Sequence, residues 1–256
     1  MNKVCIAIST YGERINSIMI PAPRVDVCYL IVHQRSAEVA ITTPVQSILG
    51  REDVRYVRLD SVGLSRSRNC ALKFSESDYV HIMDDDVEIN SENISHLAEI
   101  ARKQKADIAL GHFRYENGRS SKQRETSGVV GLKFIFSVCS IEMCISRAAI
   151  ESGITFDERF GLGTPNPSGE EFIFLKDAKQ KSLSIHYYPV CIGTHPNITS
   201  GDDFFSTEDK IYAKRNMFDR AFPRTGSIFK LLFFIKKAPI LIENKVLFRF
   251  FYKFML

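Results

Sequence analysis

The sequence predicts an α/β protein: a Rossmann-like, mostly parallel central sheet flanked by helices, followed by a helical, amphipathic C-terminal extension. Three observations lead there. Apolar runs in the first 110 residues are continuous rather than alternating, the pattern of strands buried on both faces. Segments long enough for helices or loops separate those runs. Beyond residue 209 the composition turns basic and aromatic, which sets off residues 210–256 from a body of residues 1–209.

The first run, residues 4–8, ends in Ser9-Thr10-Tyr11-Gly12, with strand-like sequence beginning at Lys3. Residues 25–32 and 54–59 form the second and third. Residues 64–74 are helical in character, with Ser65 available as the cap. A fourth strand, residues 79–83, runs directly into Asp84-Asp85-Asp86. Ser91 opens a helix whose Ile94, Leu97, Ala98 and Ala101 follow an i, i+3, i+4, i+7 stripe. Residues 107–110 return to strand, residues 115–127 are a polar and mobile loop, and residues 134–145 re-enter the core. Residues 156–169, rich in glycine and proline, form a loop before a helix at 170–180 and a strand at 184–192.

Hydrophobic content of 45% and charged content of 25% exclude a disordered chain. The net charge of +4 averages two unlike parts. Residues 210–256 hold eleven Lys and Arg against two acids, Asp219 and Glu243, so the remainder is net acidic. The six cysteines are scattered without a Cys-x-x-Cys pair, and several lie in apolar runs, which favours buried thiols over a disulfide framework or a zinc site. No secretory leader is evident, and no run reaches the roughly 18 to 20 apolar residues of a spanning helix. A reduced, cytoplasmic protein is the expectation.

Ligands of parallel α/β sheets bind beyond the carboxyl ends of the strands. Ser9-Thr10-Tyr11 and the three aspartates both fall on that edge and so can line one crevice. Three adjacent carboxylates repel by about a few kcal/mol at intermediate dielectric, which calls for a cation. Their hard oxygens suit Mg²⁺ or Mn²⁺ carrying a nucleotide diphosphate. In an extended segment Asp84 and Asp86 point to one side and Asp85 to the other. A solvated acidic turn is the plainer alternative. Gly63-Leu64-Ser65-Arg66-Ser67-Arg68-Asn69 brings opposite charge, for a phosphate or sugar, as a solvated face, or as ion pairs bracing the aspartates. Glu170-Glu171 opens a helix and offers a general base, or simply complements the helix dipole. His195 follows an apolar strand as a nitrogen ligand or a loop histidine.

In this order the segments resemble the family 2 glycosyltransferases and their GT-A fold, a nucleotide-diphospho-sugar transferase fold. Ile8-Ser9-Thr10-Tyr11 matches the turn after the first strand, Gly63 through Asn69 the Gly-x-x-x-x-Arg-Asn segment, and Ile82-Met83-Asp84-Asp85-Asp86 the DxD motif. Phe156-Asp157-Glu158-Arg159-Phe160-Gly161, then Gly169-Glu170-Glu171, match the loop and acidic pair. The resemblance implies an inverting, metal-dependent transfer of a sugar from a nucleotide-sugar donor to a hydroxyl acceptor. It implies Asp86, Asp84 and His195 around Mn²⁺ or Mg²⁺. Ser9, Thr10, Tyr11, Arg14, Arg66, Arg68, Asn69, Asp84 and Asp85 would lie on the donor, with Glu171 or Glu170 as the base. Two departures stand out: Glu-Glu replaces the common Glu-Asp, and His33-Gln34-Arg35-Ser36 replaces an acidic Asp-Asp-Gly-Ser turn.

In the tail, lysines interrupt Ile228-Phe-Lys-Leu-Leu-Phe-Phe-Ile-Lys-Lys too often for a spanning helix. They suit an interfacial one on an anionic membrane surface, divided in two at Pro239. Packing on the protein's own body, or self-association, is the alternative. A membrane-bound tail implies a peripheral enzyme at the inner face of the cell membrane, no nucleic-acid partner, and a glycan or polyprenyl-linked acceptor, as in surface polysaccharide (capsule, lipopolysaccharide or O-antigen) assembly. A metal-dependent nucleotidyltransferase and a non-catalytic membrane-binding module are the rival classes.

Overall fold

The computed structural model describes residues 4–37, 39–122, 124–197 and 203–255. Lys3, where strand-like sequence begins, lies outside them. The apolar runs become β1 (Val4–Tyr11), β2 (Val27–Gln34), β3 (Val54–Leu59) and β4 (Tyr79–Asp84), with α1 (Thr43–Leu49) and α2 (Leu64–Phe74) between them. There follow β5 (Glu88–Ile89), α3 (Ser91–Lys103), β6 (Ile108–Tyr115), β7 (Gly128–Val129), α4 (Leu132–Ile135), β8 (Met143–Ser146) and α5 (Arg147–Glu151). The chain ends with α6 (Glu170–Gln180), β9 (Ile185–His195), α7 (Glu208–Ala221), α8 (Gly226–Glu243) and α9 (Leu247–Met255).

The strands form one sheet in the order β3-β2-β1-β4-β8-β6-β9-β5, with β7 added on β9. β1 to β4 are mutually parallel, and β9 runs parallel to β6. β8 is antiparallel to both β4 and β6, so the apolar stretch after residue 134 enters the sheet against its grain. β1 is covered on both faces, as continuous hydrophobicity requires. Val4, Ile6 and Ile8 join Val45 of α1 and Ile94, Leu97, Ala98 and Ala101 of α3. Cys5 and Ala7 join Ala71 and Leu72 of α2 and the apolar face of α6.

The register does the positioning. β1 and β4 pair so that Ser9 stands beside Asp84, and β1 and β2 so that Thr10 stands beside His33. β6 and β9 both run beyond their apolar cores, as far as the pairs Arg114 with Thr194 and Tyr115 with His195.

Local details differ from the sequence reading. Gly63, at φ 137°, precedes α2 as its cap residue, and the Ser65 hydroxyl instead donates to Phe160 O at 2.7 Å. Asn90 rather than Ser91 caps α3, accepting from the Asn93 amide. The polar loop after β6, read as mobile, is anchored: Lys122 pairs with fully buried Glu142 at 2.8 Å, and Ser121 donates to the same carboxylate at 2.6 Å. Pro239 does not divide the tail, because α8 continues through it. The break falls at Asn244–Val246. Lys245 is left-handed (φ 57°) and donates to Ile242 O, while Val246 donates to Leu241 O, both at 2.9 Å. This is a Schellman closure, and it satisfies the last carbonyls where a proline cannot.

The C-terminal helices share the core of the body. Ile211, Met217 and Phe218 of α7, Leu241 of α8 and Phe250 and Phe254 of α9 join α6 in one cluster, with Phe229, Phe233 and Phe234 packed against it. Most of the tail's aromatics are thus absorbed by the protein itself, the alternative to a membrane surface for these side chains. Phe248, Phe251 and Tyr252 remain exposed, as does a stripe along α8. We expect Phe254→Ala to cost about 3–5 kcal/mol of global stability in urea unfolding, the penalty of a core aromatic cavity. A loss below about 1 kcal/mol would mean α9 is only lightly attached.

Candidate active site

Where β1 and β4 end side by side, their side chains interlock. Ser67 Oγ of α2 donates to Ser9 Oγ at 2.8 Å, and Thr10 Oγ1 donates to Asp85 Oδ2 at 2.7 Å. Arg14, in the 3-10 turn after β1, binds Asp85 through Nε and Nη2 and reaches Asp86 Oδ2 at 3.0 Å. Those carboxylates hold the Arg14 guanidinium well above its ordinary pKa, the bond from Asp85 contributing most. Strict alternation stops at Asp84, where β4 ends. Asp84 turns inward to Arg68, while Asp85 and Asp86 share Arg14, so the three carboxylates do not divide simply into two sides.

Arg68 is the centre of the arrangement. It is 1% exposed, and its guanidinium donates to Glu170 Oε1 at 2.9 Å, Asp84 Oδ1 at 3.2 Å and Ser140 Oγ at 2.6 Å. Glu171 Oε1 stands 3.8 Å away, and the ring of Phe156 lies beneath at 5.6 Å. A buried cation survives only with such partners. Burial raises the pKa of Asp84, and Arg68 opposes the shift. Arg68 therefore joins the DxD strand end to the acidic helix.

The rest of α2 holds the loop leading to that helix. Leu64 N donates to Leu162 O at 2.9 Å, and Arg66 pairs with Glu158 at 3.1 Å. The Asn69 amide both donates to Phe156 O (2.9 Å) and accepts from Phe156 N (2.8 Å). Arg66 and Asn69 thus engage the 156–169 loop. At its end Gly169, with φ 104°, allows Met217 of α7 to pack where a Cβ would lie 2.9 Å from it.

Glu170 and Glu171 differ although adjacent, because consecutive helical residues face about 100° apart. Glu170 is buried with Oε1 on Arg68 and Oε2 unpartnered. Glu171 keeps its side chain 23% exposed. Burial and the neighbouring Glu170 push its carboxyl well above the usual range, with Arg68 opposing. Such a group can take up a proton near neutrality.

His195, at the end of β9, packs its ring 5.4 Å from that of Phe113. Its Nδ1 donates to Pro196 O at 2.8 Å, since a carbonyl only accepts, which leaves Nε2, 4.0 Å from Asp86 Oδ1, as the nitrogen that carries the lone pair in the neutral ring. Among the described residues no three His, Cys, Asp or Glu side chains converge into a complete metal cage. Asp86 and His195 bring an oxygen and a nitrogen donor within 4.0 Å of each other. Tyr11 is partly exposed, and its hydroxyl accepts from Arg35 at 3.2 Å. His33 and Gln34 are buried supports: His33 bridges the Tyr56 hydroxyl (2.7 Å) and Gly12 O (2.9 Å), and Gln34 accepts from Gly63 N (2.7 Å).

Ser9, Thr10, Arg14, Asp84, Asp85, Asp86, Arg68, Glu170, Glu171 and His195 are thereby linked into one crevice. Sequence reasoning did not anticipate Ser67, Ser140 or the Phe156 ring. Ser67 lay within a recognised motif, but Ser140 had no local signal. Depth alone does not mark the site: a cavity of about 670 Å³ between Pro21–Arg24 and Glu88–Asn93 contains none of these residues.

The sequence profile described as Glycosyl transferase family 2 matches residues 29–164, more than half of the chain. The chain belongs to that family. The family 2 chain also superimposes on crystal structures of S. aureus TarS. For TarS 1–349 in complex with UDP the TM-score is 0.63 at 20% identity, covering 85% of this chain and 65% of that one. For the complex with UDP-GlcNAc it is 0.63 at 19% identity, covering 85% and 66%. The chain therefore spans somewhat less than two thirds of those TarS chains. The likeness establishes the GT-A fold. No curated protein sequence matches.

Removing Arg68 should expose how much it holds. We expect Arg68→Met to lose about 3–5 kcal/mol of stability, because buried Glu170 and half-buried Asp84 are left unpaired. Arg68→Met with Glu170→Leu should recover part of that loss in the same urea titration. An additive double variant would show that the two groups are not coupled.

Proposed function

We propose that this family 2 protein transfers a sugar from a nucleotide-diphosphate-sugar donor to a hydroxyl of a glycan or lipid-linked acceptor, with inversion at the anomeric carbon. The observation that carries the reading is Glu171: a partly open carboxylate of raised pKa, tied through Arg68 to the strand end that carries the aspartates. Inversion requires a base on the face opposite the leaving diphosphate, and Glu171 takes the hydroxyl proton as the acceptor attacks. Glu170 stays on Arg68 and orients the helix. Ser9, Thr10, Tyr11, Arg14, Asp84 and Asp85 form the donor side.

Asp86 and His195 fit a divalent cation, Mn²⁺ or Mg²⁺. A carboxylate oxygen and an imidazole nitrogen 4.0 Å apart are donor types that would hold such an ion, with the donor diphosphate supplying further oxygens. Such an ion supplies positive charge to the diphosphate as it leaves. Arg14, on Asp85 and Asp86, adds a cation at the same place.

The outer face of α8 supports a peripheral membrane site, and with it a polyprenyl-linked acceptor in surface polysaccharide assembly. Ile228, Leu231, Leu232, Ile235 and Ile242 are exposed at helical spacing, Phe248 of α9 is 87% exposed, and Lys236 and Lys245 flank them. No helix among the described residues is long and apolar enough to cross a membrane.

With Mn²⁺ and a panel of nucleotide sugars beginning with UDP-GlcNAc, nucleoside diphosphate should be released, and pyrophosphate release would overturn the reading. Glu171→Gln should lower kcat about 10²- to 10⁴-fold with donor binding retained. Asp86→Ala should lose its response to Mn²⁺. The base works ionised, and its folded pKa is raised. The rate should therefore fall as pH drops through a limb lying above the ordinary carboxylate range, and a limb near pH 4.5 would remove Glu171 from that role. Leu232→Ser with Phe248→Ser should weaken co-sedimentation with anionic vesicles, and unchanged binding would exclude this face.

A further inference from the structure

The C-terminal helices leave one group of charges unmatched. Lys210 pairs with Asp203 at 2.6 Å, Lys230 with Asp219 at 2.8 Å and Lys253 with Glu208 at 3.0 Å. Arg220 binds Asp157 and Asp177 at 2.9 and 2.7 Å, Arg215 reaches Asp219 at 4.0 Å, and Arg249 donates to Phe205 O at 2.6 Å. Among the described residues, Lys214, Arg224, Lys236, Lys237 and Lys245 have no ion pair. Arg224, Lys236 and Lys245 are exposed, where water solvates the charge. Lys214 and Lys237 are half-buried.

These two come from different helices: Phe222 stacks on Phe229 at 3.9 Å and Phe218 lies 5.4 Å from Phe233, and Lys214 and Lys237 are the next pair along that antiparallel seam, one turn further on each helix. Lys214 is one turn before Met217, whose side chain is fixed against Gly169, the residue before Glu170. Packing thus sets Lys214 beside the acidic pair, and Glu171 and Glu170 are its principal opposite charges, beyond ion-pair distance. Lys237 Nζ sits 5.1 Å from the Phe204 ring. Phe136, partly exposed, stacks on Phe172 of α6 at 4.0 Å and gives the neighbourhood an apolar wall. Burial pulls Lys214 below the ordinary lysine range. Two partly desolvated ammoniums with no carboxylate in contact form an arrangement that an anion would stabilise.

We propose that Lys214 and Lys237 form an anion site beside Glu171 that receives a phosphate group carried by the acceptor. The assignment to the acceptor rests on the functional reading above, because that reading puts the donor diphosphate at Asp86, His195 and Arg14. Two ammoniums, each with three donors, suit a tetrahedral oxyanion. Holding that phosphate would place the acceptor's sugar hydroxyl against Glu171. The phosphate belongs either to a lipid headgroup or to a water-soluble phosphorylated glycan.

The test is calorimetric titration of the full chain with inorganic phosphate, in the presence of saturating Mn²⁺ and UDP to occupy the nucleotide crevice. We expect the wild type to bind phosphate and Lys214→Ala and Lys237→Ala each to weaken it by about tenfold. Lys236→Ala, one residue along on the exposed face, should leave it unchanged, and Lys214→Arg should retain it. Retained UDP affinity reports that each variant is folded. Phosphate affinity equal in wild type and the Lys214→Ala/Lys237→Ala variant, or absent from the wild type, overturns the proposal. Phosphatidylcholine vesicles with and without farnesyl phosphate separate the sources. Lysine-dependent recruitment to the farnesyl phosphate vesicles identifies a lipid, and lysine-dependent phosphate binding without recruitment identifies a soluble acceptor; either supports the site. Failure of nucleoside diphosphate release in the wild type would remove the glycosyltransferase reading yet leave the phosphate titration interpretable.

Discussion

A single buried guanidinium organises this protein's crevice. Arg68 ties Asp84 at the end of β4 to Glu170 at the start of α6, with Ser140 accepting a third bond and Phe156 beneath it. Each partner would be costly without the others. A buried arginine needs carboxylates, buried Glu170 and half-buried Asp84 need a cation, and one fork-shaped group serves both. The consequence is geometric. Two parts of the chain that serve opposite ends of a proposed reaction are fixed against each other by one side chain, while adjacent Glu171 remains partly open.

Around that centre, the motifs have a mechanical meaning. α2 supplies Arg68 to the crevice and uses Leu64, Ser65, Arg66 and Asn69 to hold the loop before α6. Through Met217 on Gly169, α7 presses the start of the same helix from outside. The C-terminal helices are thus part of what positions the acidic pair, as well as offering an outward apolar stripe. One helical hairpin serves the body on its inner face and is left uncovered on its outer face.

The sheet was legible because its signal is collective: several consecutive apolar residues at β1, β2 and β4 admit few alternatives. The 170–180 helix and the loop before it were equally clear. Individual side chains were harder to read. Arg68 occurs in a polar, basic stretch that suggests a solvent-facing group, and its burial depends on Glu170, 102 residues away. The caps were misassigned by one or two positions because Gly63 and Ser65 stood close together at one helix start and Asn90 and Ser91 at the other, and only backbone angles decide between them. Pro239 was taken as a break since proline removes one hydrogen bond, but a helix already held by Phe233 and Leu241 in the core tolerates that loss. Ser140 joined the site with no local trace, because its role is fixed by where antiparallel β8 begins.

The pairing of Ser9 with Asp84 has a different kind of consequence. Thr10 and Asp85 are 75 residues apart in sequence, yet meet because two strands are aligned to the residue. The turns on either side of α1, which carry none of the clustered groups, can therefore lengthen, shorten or carry new surface, provided they return β2, β3 and α2 in step. A single residue inserted within either strand would turn its side chains to the opposite face and separate the groups that now touch. Tolerance to change along this half of the chain should alternate sharply, permissive in those turns and unforgiving inside β1, α2 and β4.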